Sequence, residues 1–180
     1  MLQLSSREEL LANWQDLANH FDSELKVPLD NGSSIILKFT FQSEFGVTEV
    51  RIKDRSGSGQ KILSTFETRV YTKLAQPLVN FIKISLSPPF ARLRIALGEK
   101  ASIITINSTK YWLKTNIPDF EKVIENVGMK EIRSFSNLHV NSTSAEFLLS
   151  TTDFLNKKDQ ASQLISLHKE FLQLIVEIDR

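Results

Sequence analysis

Residues 53–61 read KDRSGSGQK, two glycines and two serines fenced by Lys53, Arg55 and Lys61. A glycine-rich stretch cradles phosphate when its backbone N–H groups and the N-terminus of a following helix converge on the anion. The spacing here is wrong for that. Gly57 and Gly59 precede Gln60 and Lys61 without a Gly-Lys-Ser/Thr ending, no third glycine completes a dinucleotide pattern, and the residues that follow alternate as in a strand. The stretch predicts a hairpin connection in which glycine supplies positive φ.

The other residues capable of chemistry are scattered. His20, His139 and His168 lie far apart and none stands in H-x-x-x-H or H-E-x-x-H spacing, so no metal site is expected. His168 borders the apolar face of the last helix. His139 has hydroxyl residues nearby and Asp153 further on, but no G-x-S-x-G elbow frames a serine. Glu8, Glu9, Asp119 and Glu121 fall at helix starts, where the macrodipole favours acids. With no cysteine in the chain, disulfides, thiolate zinc sites and cysteine nucleophiles are excluded. No cofactor is implied. Tyr111 and Trp112 fit either the lining of a groove for a small ligand or peptide, or the edge of the core.

The elements that must carry these residues follow from hydrophobic periodicity. Leu10, Leu11, Trp14, Leu17, Ala18 and Phe21 recur at helical spacing, with Ser5 or Ser6 and Glu8 or Glu9 set as a capping box. Pro28 and Asp30-Asn31-Gly32 then turn the chain. Period-two runs start at Ile35, Val47, Ile62, Phe81, Arg92 and Ser102, and read as strands of an antiparallel meander. A short helix follows Pro118 and closes at Gly128, and residues 131–140 return as a strand. Thr143 and Glu146 repeat the capping-box spacing ahead of Phe147 and Leu148, predicting another short helix. The last helix carries Leu164, Leu167, Phe171, Leu174 and Ile178. That stripe suits a homodimer seam or a cover for the sheet, and its added width at Ile165, Leu172 and Ile175 favours the cover.

These elements predict an α+β fold: a sheet of about six or seven strands, with the N-terminal and long C-terminal helices packed on one face. At 180 residues, with 41% apolar and 24% charged side chains, one domain spanning residues 1–180 is expected. The N-terminus carries acids where a secretory signal needs positive charge, and no apolar run has transmembrane length, so a cytoplasmic location is expected. On that reading the Asn31, Asn107 and Asn141 triplets are not glycosylation sites.

The net charge of +1 hides a strong asymmetry. Residues 1–30 hold two basic and six acidic side chains, residues 31–117 thirteen and five, and residues 118–180 seven and ten. Strand alternation puts Lys38, Arg51, Lys53, Arg69, Lys83, Arg92 and Arg94 on the face away from the core, with Arg55 and Lys61 at the hairpin loop and Phe81 among them. The favoured function is a non-catalytic interaction module for a protein partner. One alternative is an anion binder using the basic sheet face for nucleic acid or anionic phospholipid. The other is an enzyme with a site dispersed over several elements.

Overall fold

The computed structural model describes residues 4–55, 66–106, 108–126, 135, 137–155 and 157–180. The fold is α+β. Helix α1 (Leu4–His20) leads into β1 (Lys26–Asp30), β2 (Ile35–Ser43), β3 (Gly46–Asp54), β4 (Phe66–Leu74) and β5 (Ile82–Leu86). Helix α2 (Ala91–Ala96), β6 (Ser102–Ile106), β7 (Thr109–Thr115) and α3 (Phe120–Asn126) follow. The chain closes with β8 (Leu138–Ser142), β9 (Glu146–Thr151) and α4 (Lys158–Ile178). All nine strands join one antiparallel sheet in the order β1-β2-β3-β4-β9-β8-β5-β7-β6.

Alternation within each strand divides the sheet into two faces. The inner face carries Leu37 and Phe39, Val50 and Ile52, Val70, Phe147 and Leu149, Val140, Ile82 and Ile84, and Leu113, all buried. Leu10, Trp14 and Leu17 of α1 pack into the same cluster. The Trp14 ring meets Phe39 edge-on at 6.1 Å, and its Nε1–H donates to the Leu155 carbonyl at 3.1 Å. Helix α4 contributes Leu164, Leu167, Phe171, Leu172 and Ile175. Leu164, Leu167 and Phe171 of the possible dimer seam are therefore core residues here. Leu174 packs against the core and Ile178 is 36% exposed. No helix among the described residues is long and apolar enough to cross a membrane.

Four expectations need correction. Among the described residues the sheet has nine strands, not six or seven, and it is not a meander: β9 returns from the far end of the chain to lie between β4 and β8. Strand β1 was hidden by Pro28, and its register with β2 shifts between Lys26 and Leu29. Every β1 residue is exposed, as suits an edge strand, where a proline is tolerated. Residues 91–96 form helix α2 instead of a strand. There the Gly98 N–H donates to the Ile95 carbonyl at 2.9 Å and the Glu99 N–H to Arg94 at 3.1 Å, the paired closure of a glycine-terminated helix.

Residues 146–151 form β9 where a helix was expected. Thr143 does not cap a helix. Its N–H donates to the Glu146 carbonyl at 2.8 Å and closes the β8–β9 hairpin turn. A slot between two strands rewards Phe147 and Leu149 for alternating, and tertiary pairing overrides the local capping signal.

Candidate functional site

The outer face of the sheet is built from the alternate residues of the same strands. Cross-strand register aligns Lys38 opposite Arg51, Arg51 opposite Arg69, Arg69 opposite Ser150 and Ser150 opposite His139. This row crosses β2, β3, β4, β9 and β8, about 19 Å at the ~4.8 Å strand spacing. A neighbouring row runs Tyr71, Leu148, Asn141, Lys83, Lys114. Four basic or imidazole side chains thus share one line with a single short hydroxyl, Ser150, set between Arg69 and His139.

Charge on this face is concentrated but mosaic. Lys38 pairs with Glu49 at 3.2 Å and Arg69 with Glu67 at 2.6 Å. The Tyr71 hydroxyl donates to Glu146 at 2.7 Å, and this hydrogen bond, with burial, holds the phenol above its usual pKa. Among the described residues Arg51, Lys53 and Lys83 form no ion pair. Partial burial, and after it the charges of Arg55 and Arg51, lower the Lys53 pKa. His139 is held below the ordinary histidine value by burial first and then by Lys83 and Arg69. Burial is the larger cause of both shifts, and the neighbouring positive groups add to it in the same direction.

Of the basic residues read from the sequence, the structure brings Lys53, Arg55, Arg69 and Lys83 to this region. Arg92 and Arg94 sit on α2, so neither belongs to a strand. Arg92 is exposed to solvent. Arg94 turns back onto the outer face, with its guanidinium 5.4 Å from the Trp112 ring centroid and both Glu99 oxygens in hydrogen-bond reach. Lys114 donates to Glu99 as well. Those bonds, Lys114 first, keep the Glu99 carboxyl below its usual pKa. Lys61 lies outside the described residues, as does most of the glycine-rich stretch around it.

Tyr111 and Trp112 point to opposite faces of β7. Tyr111 is 1% exposed among the core residues, and Trp112 is 4% exposed beneath Arg94, so the two do not line a common groove. Phe81 is half-exposed just before β5, its N–H donating to Asn116.

Ser150 and His139 are the members of the row that sequence reasoning missed. Ser150 was assigned to a helix, and His139 to a strand whose register was unknown. His168 is also placed differently: it is 3% exposed within the core, not at a helix border. The inner-face threonines at 48 and 72 are the polar groups it meets, Thr72 directly and Thr48 through Thr72. Among the described residues, no group of three or more His, Asp and Glu could hold a metal ion. No protein-family model and no curated protein matches this chain.

Proposed function

We propose that residues 1–180 act as one non-catalytic interaction domain whose outer sheet face binds an acidic segment of a protein partner. The observation that carries this reading is the row Lys38, Arg51, Arg69, Ser150, His139, with Lys53, Arg55 and Lys83 close by. Among the described residues only α2 lies against this face, at the β6–β7 end. Arg51 and Arg69 stand directly opposite each other. Like charges so placed repel, and a carboxylate set between them relieves the repulsion.

Two features favour a protein over a nucleic acid. Glu49, Glu67 and Glu146 interleave with the basic side chains, a mosaic that suits a partner bearing both signs of charge and opposes a continuous phosphate chain. Single-strand binders also present free aromatic faces for stacking. On this face Trp112 is covered by Arg94 and Tyr71 is tied to Glu146, which leaves only the half-exposed Phe81 among the described aromatics.

The test is anisotropy with a labelled poly-glutamate peptide, run beside a single-stranded oligonucleotide and phosphatidylserine vesicles at rising salt. The peptide is expected to bind, to weaken with salt, and to lose at least about tenfold in affinity in the Arg51→Glu, Arg69→Glu double variant. Unchanged peptide binding by that variant overturns the proposal. Stronger capture of the oligonucleotide or the vesicles moves the assignment to the phosphate alternative.

A further inference from the structure

A cavity of about 480 Å³ opens on the inner side of the sheet, between the end of α1, the β2–β3 turn and α4. Its volume lies in the range of small-molecule sites. One wall is aromatic: Phe21 and Phe41 stack at 4.4 Å, with Phe45 beside them. The facing wall is Ile165 and Leu172 of α4. At the rim, Lys169 and Glu44 form an ion pair at 3.0 Å, so each neutralises the other.

The floor is polar, and its protons can be counted. Ser43 Oγ–H donates to the Gly46 carbonyl at 2.9 Å. Thr48 Oγ1 lies 3.1 Å from Ser43 Oγ and 2.8 Å from Thr72 Oγ1, which lies 3.3 Å from His168 Nε2. The imidazole's other bond is to the Phe147 backbone. These are five contacts, and five protons are needed to fill them. Three hydroxyls and a neutral imidazole supply four. Burial pushes the His168 pKa down to about 4, so the ring is neutral near pH 7 and the shortfall stands.

Thr48 Oγ1–H donates to Ser43 Oγ, whose own proton goes to the Gly46 carbonyl, so both hydroxyl protons at the cavity floor are committed within the protein. The one Thr72 proton then serves either Thr48 or His168, and the shortfall lies at that inner end of the network. Both residues line the cavity, so acceptor lone pairs face into it. A ligand that reaches this point meets two oxygens whose own protons are already committed, so it must bring the hydrogen-bond donor. An anion cannot donate there, and the rim pair offers a charged ligand no uncancelled partner. The aromatic wall asks for an apolar body.

We propose that this cavity binds a small, neutral, apolar molecule bearing one hydroxyl, a phenol or an alcohol, whose O–H donates to the Ser43 and Thr48 oxygens. This site is on the opposite side of the sheet from the basic row and stands independently of the function proposed for that row.

The test is calorimetric titration of the full chain at pH 7.5 with 4-propylphenol, propylbenzene and 4-propylbenzoate. Saturable binding of the phenol is expected, about tenfold or more tighter than propylbenzene. Thr48→Val keeps the volume but removes the acceptor and should bring that ratio near one. Ser43→Ala, at a half-buried position, provides the same readout should Thr48→Val fail to fold. Ile165→Trp should fill the cavity and abolish binding of all three. Absence of saturable phenol binding, equal affinity for propylbenzene, preference for the benzoate, or a ratio unmoved in the folded acceptor variants each overturns the proposal.

Discussion

Arg94 stacks over the Trp112 ring at 5.4 Å while the same guanidinium grips both carboxylate oxygens of Glu99. This clamp fixes α2 to the outer face of β7, because Glu99 is also held by Lys114 from that strand. Arg94→Ala is expected to uncover Trp112, red-shift its emission and cost about 1 kcal/mol by denaturant titration. Arg94→Lys, which keeps the charge but loses the planar fork, should fall between the two. The Glu99 pKa is depressed in the fold, so the clamp is present above the ordinary carboxylate value and is lost as pH falls through the lowered one. The same red shift should therefore appear on acidification.

His168 gives the fold a second acid sensitivity with its own window. An ordinary histidine value of 6.5 applies in the unfolded chain, against about 4 in the fold. Between these values the unfolded chain binds the proton and the folded one does not. Stability is thus full above pH 6.5 and declines as pH falls toward 4, by about 3 kcal/mol in all. Denaturant titrations of the native chain and His168→Gln at pH 7.5, 5.5 and 4.5 check this. The variant should be less sensitive to pH across that interval, and equal slopes would contradict the assignment.

His139 should report on the basic row. Burial first, and then Lys83 and Arg69, depress its pKa, so an anion that offsets those two charges should raise it. An NMR titration with poly-glutamate bound should show His139 moving up, whereas the buried His168 should stay where it is.

Gly46 and Gly32 separate two reasons for glycine. Both have positive φ, +140° and +80°. A Cβ at Gly46 would lie 2.1 Å from the Lys73 carbonyl oxygen, so Gly46→Ala must push β3 away from β4 and should cost more than about 2 kcal/mol. Nothing lies within 4 Å of a Cβ at Gly32. Gly32→Ala should cost about 1 kcal/mol, the backbone strain alone. Thermal melts of the two variants provide the comparison.

The parts of this structure legible in the sequence were those with long, unbroken periodicity. Helices α1 and α4 and strands β2 and β3 stand where their patterns put them, and so do Arg51, Lys53 and Arg69 on the face away from the core. The misreadings fell on short segments. Six alternating residues from Arg92 to Leu97 suit a strand or a short helix equally, and Gly98 was the deciding signal. Phe147 to Thr151 became a strand only because β4 and β8 offer it two ladders, a non-local fact. The basic row could not be assembled for the same reason: Ser150 and His139 join it through pairings between residues far apart in the chain. The cavity floor was likewise hidden, since His168 is 96 residues from the threonine it meets.

The irregular edge strand β1 sets a limit on assembly. An antiparallel sheet with two regular rims can add neighbours indefinitely. Here one rim is spoiled by Pro28 and the shifted register between Lys26 and Leu29. The other, β6, keeps an unbroken register with β7 from Ser102 to Ile106. Two copies joined β6 to β6 would each have used their single regular rim, so strand addition stops at a pair and cannot propagate into a fibre.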